Sequence, residues 1–363
     1  MSDFRFVELS GSPAAMGEAF GEQFRDEIRG LFEARMSRVK RFLALQDPGR
    51  PFSPAAVLKV ARGTIDAHQS YDARIWDEFA GIARGSGLAL DELLVTNGLT
   101  DIQDLILFDK AAASQAFGAH VDECTAMLVP GECGGGQPLL CQTWDMHAEA
   151  GDYLAVVHRK PDDGPETRGL TTTGCLCLIG LNSEGVGVGN TNLVPTDSRI
   201  GVNYLFTLTR ALRCRSAAQA ADAVASTPRL SGHNFMIVDG RSVFNVECTA
   251  TRDHRRQVRD EPFVHANHYL EDSLRPLEFQ RQTDNSHWRY KKMCGLLGRL
   301  PRPITIDACW QHFAQVSQHH VPAANGFDEN LVTVATIALC PAAGRFYVCS
   351  GAAGSSTRHE VKL

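Results

Sequence analysis

The sequence contains no run approaching the roughly 18 apolar residues that a membrane-crossing helix needs, so no membrane span is expected. It also lacks a basic excess. Its 36 Lys and Arg stand against 42 Asp and Glu, a net charge of −6. That argues against a nucleic-acid partner, which would want a basic face. No long block of like charge occurs, which excludes an electrostatic tail. The opening Met1-Ser-Asp-Phe-Arg-Phe6 lacks the basic start and apolar core of a secretion signal. There is no Cys-x-x-Cys pair among the 11 cysteines, and their odd number fits reduced thiols better than a disulfide framework. A soluble, cytoplasmic protein is expected. The ending Val361-Lys-Leu363 is only faintly similar to a peroxisomal address. No internal repeat or low-complexity linker divides the chain.

What is present is ordinary for a globular protein: 44% hydrophobic and 21% charged residues over 363 positions. Residues 12–110 read as mostly helical. Met16, Phe20, Phe24, Ile28 and Leu31 follow helical spacing, as do Val57, Val60, Ile65, Ile75 and Phe79. After about residue 120 the texture changes to short β-rich segments between Gly, Pro and Asn turns. Strands are expected at 125–129, 139–143, 153–159, 174–180, 185–190, 233–238, 241–247, 262–266, 331–338 and 344–350. Helices are expected at 202–226, 286–299 and 305–318. Cys175-Leu-Cys177 alternates as a strand would, which places both thiols on one face. Segregated helices and strands predict an α+β fold with helix layers on an antiparallel sandwich.

Chemistry concentrates where the texture shifts. Polar Asp122 and Glu123 precede Cys124, and an apolar strand follows it. A cysteine at a strand start is fixed by the sheet while its backbone nitrogen lies at the end. If the Glu123–Cys124 bond is cut, that nitrogen becomes an α-amine, with a pKa of roughly 7.7–8.0, able to act as a base. One residue then supplies nucleophile and base. The glycine turn Gly134-Gly-Gly136 lets the segment Gln142-Thr-Trp-Asp145 run back beside Cys124, so that Asp145 could orient it. Asn267, Asn190 and Asn192 are candidate oxyanion donors. Thr125, Gln142 and His147 are further candidates around substrate and oxyanion. The histidines of His265-Ala-Asn-His268 have no Glu or Cys at metal-ligand spacing, so no metal is expected. Gly185-Val-Gly-Val-Gly189 lacks the nucleotide fingerprint and reads as a strand or bulge. The residues alone reach a cysteine hydrolase, with a buried core cysteine as the alternative.

Taken in order, the motifs resemble the acyl-coenzyme A:6-aminopenicillanic acid acyltransferase (isopenicillin N acyltransferase) family of N-terminal-nucleophile hydrolases. The similarity runs through Gly11-Ser-Pro-Ala-Ala-Met-Gly17, Phe79-Ala-Gly-Ile-Ala-Arg-Gly85 with the Asn97 helix, Asp122-Glu-Cys-Thr125 and Gln142-Thr-Trp-Asp145. It continues through Gly180-Leu-Asn-Ser-Glu-Gly-Val-Gly-Val188, His265-Ala-Asn-His268 and Ser286-His-Trp-Arg289. The resemblance implies a four-layer αββα sandwich and autocatalytic cleavage between Glu123 and Cys124. The products would be a helical segment 1–123 (the α fragment) and a catalytic core 124–363 (the β fragment) that stay together. It assigns Cys124 as nucleophile, Asp145 as catalytic aspartate and Asn267 as the oxyanion-hole asparagine.

The implied activity is amide hydrolysis or acyl transfer on a small N-acyl amide or amino-acid conjugate, through a thioester on Cys124. No cofactor is implied; a coenzyme A thioester as acyl donor, an unprocessed non-catalytic ligand-binding relative and assembly into a homo-oligomer are the alternatives. Three departures stand out. Glu123 replaces the family's usual glycine. Glu329-Asn-Leu331 stands where the family has a serine at its thiol-ester site. Gln142 replaces an arginine of the related choloylglycine hydrolases, which leans away from bile-salt and penicillin V hydrolysis.

Overall fold

The computed structural model describes residues 4–46, 49, 51–107, 123–279, 285–317 and 331–362. Its first strand, β1 (Arg5–Gly11), leads into seven helices: α1 (Pro13–Gln23), α2 (Arg25–Gln46), α3 (Pro54–Arg62), α4 (Ile65–Tyr71), α5 (Ala73–Ser86), α6 (Leu90–Asn97) and α7 (Leu99–Leu107). Then come β2 (Glu123–Val129), β3 (Leu139–His147), β4 (Leu154–Pro161), β5 (Thr167–Thr172), β6 (Ile179–Asn182), β7 (Gly187–Leu193), α8 (Tyr204–Ala211), α9 (Ala217–Ala225), β8 (Gly232–Val238), β9 (Val243–Cys248), β10 (Asp253–Gln257) and β11 (Phe263–His265). The chain closes with α10 (Asn285–Leu297), α11 (Ile306–Phe313), β12 (Leu331–Cys340), β13 (Arg345–Ser350) and β14 (His359–Lys362).

Two sheets form. The larger runs β1-β4-β5-β6-β7-β8-β9-β10 and the smaller β11-β2-β3-β12-β13-β14. Because successive strand side chains point to opposite faces, each sheet buries two surfaces. Between the sheets, Ala126, Leu128, Leu140, Ile337 and Leu339 meet Ala155, Leu170, Met236 and Val243 in one core. The smaller sheet's other face, with Met127, Val129 and Cys141, packs on Met293 and Leu296 of α10 and Phe313 of α11. The larger sheet's outer face, with Val188, Phe235 and Val246, packs on Leu208 of α8 and Val224 of α9. The order is therefore α–β–β–α, as expected.

The N-terminal segment is not a separate helical body. β1 pairs with β4, the one parallel pair among the named strands, and Phe20, Ile28 and Phe79 belong to the same core as the inter-sheet residues. The motifs around Gly17 and Gly85 prove to be two sides of one crossing between α1 and α5. A Cβ on Gly17 would stand 2.0 Å from the Glu78 carbonyl oxygen, and one on Gly85 would stand 2.2 Å from that of Glu18. Backbone cannot step aside, so Gly85→Ala is expected to cost about 3 kcal/mol despite alanine's better helix propensity. Thermal denaturation checks this; an unchanged melting temperature would mean the helices separate freely.

Other expectations shift locally. The helix expected over 202–226 breaks between α8 and α9. Residues 174–178 are not a strand. Asn97 reaches across from α6, donating to the Gly174 carbonyl and accepting from the Leu176 amide, and this holds the segment as a turn. Cys175 and Cys177 consequently sit in different cores. Strands β1, β5, β10 and β14 were not among the expected strands. Expectations at 108–122, 318–330 and Leu363 lie outside the described residues.

His68 ties α4 to the start of α8. Its Nδ1 donates to the Thr64 carbonyl at 2.8 Å, and its Nε2 accepts from the Asn203 amide at 3.0 Å. Both nitrogens are committed in the neutral form. Burial pushes its pKa down from 6.5 to about 4, against the opposing pull of the Thr64 bond and Asp101. The unfolded chain thus takes up this proton at higher pH than the folded one, so stability falls as pH drops through that window. We expect this site to contribute a loss of about 2.5 kcal/mol between pH 7.5 and 4.5. Urea unfolding at both pH values, compared with His68→Gln, measures it; equal slopes would refute it.

Candidate active site

Cys124 is the second residue of β2 and is 3% exposed. β2 lies between β3 and β11. Across β3 the register pairs Cys124 with Trp144 and Glu123 with Asp145. On the other side, His265 pairs with Ala126. Continuing that antiparallel register brings Asn267 opposite Cys124, and there the contact is made. The Cys124 backbone nitrogen donates to Asn267 Oδ1 at 2.7 Å.

Asn267 is held on every side. Its Nδ2 donates to the Asn192 carbonyl at 3.0 Å, and its own amide donates to Ser286 Oγ at 2.8 Å. Arg289, fully buried on α10, donates to Asn267 Oδ1 at 2.9 Å and to Thr125 Oγ1 at 2.7 Å. The same guanidinium donates to the Cys124 carbonyl and, through Nε, to Asn285 Oδ1 at 2.7 Å. A fork of fixed donors suits this multiple anchoring better than an ammonium would. Beneath this, His265 bridges Thr191 at 3.0 Å and Glu247 at 2.9 Å. Burial alone would raise the Glu247 carboxyl. The His265 bond and charge, with backbone amides of Glu271 and Leu270, bring it below its ordinary value.

Asp145 is fully buried. Its carboxylate accepts from Thr333 Oγ1 at 2.7 Å and Thr143 Oγ1 at 3.3 Å. Thr143 Oγ1 in turn accepts from the Thr125 amide at 3.1 Å. Strand alternation puts Asp145 on the face of Thr143 and Thr125, one ladder position from Cys124 and opposite the residue before it.

The remaining candidates separate. Gln142 donates to the Asn190 carbonyl at 2.5 Å and clips the two sheets together two positions below Trp144. The Asn190 side chain is spent on the Leu178 carbonyl. Asn192 enters through its backbone, while its buried side-chain amide has no hydrogen-bond partner among the described residues. His147 ends β3, three residues beyond Trp144. The Glu123 side chain lies outside the described residues. Thr143, Thr333, Asn285 and Ser286 went unread. Thr143 could have been found from its i, i+2 spacing to Asp145, and Ser286 from its place at the start of the Arg289 helix.

A family model described as acyl-coenzyme A:6-aminopenicillanic acid acyl-transferase matches residues 133–354, more than half of the chain. Among solved structures, the chain is similar to a variant of conjugated bile acid hydrolase from Clostridium perfringens, with 13% identity and a TM-score of 0.47 over 66% of this chain and 92% of that one. It is also similar to penicillin V acylase from Agrobacterium tumefaciens, with 13% identity and a TM-score of 0.46 over 66% and 86%.

Proposed function

Since the chain belongs to the acyl-coenzyme A:6-aminopenicillanic acid acyl-transferase family of N-terminal-nucleophile enzymes, we propose that it is a self-processing N-terminal-cysteine amidohydrolase acting on small N-acyl amides. The observation that carries this reading is the Cys124 backbone nitrogen, caught by Asn267 Oδ1 beside the Arg289 guanidinium. A buried strand amide ordinarily finds a backbone carbonyl of the neighbouring strand, and here a side chain takes that place. A catalytic α-amine needs such a receptor.

In the first step, Cys124 Sγ attacks the Glu123 carbonyl and the acyl group moves from nitrogen to sulfur. Water then hydrolyses the thioester, giving a carboxylate on Glu123, a free thiol and an amine on Cys124. The new amine occupies the end of the severed bond, the side where Asp145 stands opposite Glu123. Asp145, fixed by two threonine hydroxyls, is the proposed orienting group.

In the second step the amine accepts the thiol proton, and Sγ attacks the substrate carbonyl. Asn267 Nδ2, set in place by the Asn192 carbonyl, is the proposed donor to the developing oxyanion. The ammonium returns its proton to the departing amine, and water releases the acid from the thioester. The nearby Arg289 charge disfavours the ammonium form and favours the thiolate, which keeps the pair reactive near neutral pH. Water is the proposed acceptor because it needs no second binding site.

N-terminal sequencing and intact-mass measurement test this. The expected result is a fragment beginning Cys-Thr-Ala-Met, the two masses summing to the precursor plus one water, and acid release from N-acyl amides. A single full-length species that hydrolyses none of them and resists thiol labelling at Cys124 would overturn the reading in favour of a non-catalytic binding protein.

A further inference from the structure

Arg35, on α2, is only 7% exposed, yet its Nε is buried without a hydrogen-bond partner. Among the described residues it forms no ion pair, although Arg38, one turn along, is paired with Glu149. An arginine taken out of water without a counter-charge is costly, and a fold that keeps one has left the compensating anion to something else.

The surroundings say where that anion comes from. Arg35 lines two narrow cavities that share Leu99. One also contains Trp144, Tyr204, Leu178 and Thr96, with no acidic residue in its lining. The other extends past Met146 and His147 to Glu149, whose charge is already taken by Arg38. Trp144 is the cross-strand partner of Cys124. Arg35 and Trp144 thus face one small cavity of about 10 Å³, and Trp144 stands across the strand pair from Cys124. The rest of the first cavity is apolar side chains and neutral hydroxyls, which offer nothing to a cation.

We propose that Arg35 is the receptor for a carboxylate carried by the substrate, so that the preferred substrates are N-acyl amino acids or amides of dicarboxylic acids rather than neutral amides. This rests on the amidohydrolase reading above. A guanidinium fork matches a carboxylate through two parallel hydrogen bonds. It would hold the substrate by its charged end while the amide carbonyl reaches Cys124. The segment ahead of the proposed cut then contributes to recognition, and the one after it to chemistry.

The test uses the purified, processed enzyme, with Arg35→Gln and Arg35→Lys beside it. N-acetyl-, N-hexanoyl- and N-benzoylglycine are compared with the matching glycinamides, which differ only in charge on the amine side. N-alkyl glutaramates and their neutral diamides place the same difference on the acyl side. The expected result is a preference of about 100-fold in kcat/KM for the charged member of one series, expressed in KM. That ratio falls to about one in Arg35→Gln and is partly kept in Arg35→Lys. Because the substitution removes an unpaired buried charge, Arg35→Gln melts no lower than wild type, and the preferred carboxylate raises the melting temperature of wild type only. Equal turnover of charged and neutral members by wild type, or an unchanged ratio in Arg35→Gln, overturns the carboxylate receptor and leaves the amidohydrolase standing. If wild type turns over none of the amides, the amidohydrolase reading falls instead. The melting shift then decides Arg35 by itself: a shift lost in Arg35→Gln supports the receptor, and an equal or absent shift overturns it.

Discussion

Cys124→Ala is expected to yield one uncleaved chain and to lower acyl release by at least about 10^4-fold. Two separate events need the same sulfur. Without it no acyl shift breaks the Glu123–Cys124 bond, and the α-amine that would serve as base never forms. The fold itself should hardly notice. Cys124 is a small residue at the start of β2, packed in the inter-sheet core, and losing one sulfur there costs about 1 kcal/mol. Intact mass, melting temperature and turnover should be read on the same preparation. A variant that stays folded, uncut and inactive places Cys124 in the chemistry. One that is cut like wild type removes the nucleophile reading altogether.

The second large effect is expected at Arg289. Its guanidinium serves the Cys124 carbonyl, Thr125 Oγ1, Asn267 Oδ1 and Asn285 Oδ1 at once. Arg289→Leu would leave these acceptors buried and short of donors, at about 3–5 kcal/mol in total. Arg289→Lys restores a charge but not the fork, so it should recover only part of the stability. The enzymatic signature is distinct from the structural one. Removing a cation beside the α-nitrogen raises the pKa of its ammonium, so the acidic limb of kcat/KM should move to higher pH by about one unit. Equilibrium unfolding of both variants and a pH–rate profile on Arg289→Leu, with the charge-keeping Arg289→Lys as its control, separate the two. A loss of stability with an unmoved limb would confine Arg289 to packing.

These side chains differ in how far the sequence announced them. Cys124 and the Gln142–Asp145 strand were legible because a glycine turn joins two short apolar segments, and a short connection then determines the pairing. Asn267 and Arg289 were not legible from spacing. Each meets Cys124 across a distance in sequence that only family resemblance bridged. The Asn97 bridge hid the true shape of residues 174–178, since a side chain from a distant helix overrides an alternating pattern. The glycines of α1 and α5 stood only as motif positions until the crossing showed what occupies the missing Cβ space. Arg35 carries no sequence signal at all. It sits on a helix among other arginines, and its distinction is the lack of a partner, a property of the surroundings.

The parallel pairing of β1 with β4 has a consequence for the life of the molecule after a cut. β1 forms the edge of the larger sheet, so residues ahead of Cys124 seal the hydrogen-bonding rim of β4. Were they to depart, that rim would become a template for other chains. The two pieces should therefore travel as one particle. Yet a cut would change the order of the folding reaction: the precursor would find its structure alone, at a rate independent of concentration, while a severed pair would have to meet first. Once denatured, a cut protein would lack the single thread that assembled it, and its return would become a race between partner and aggregate.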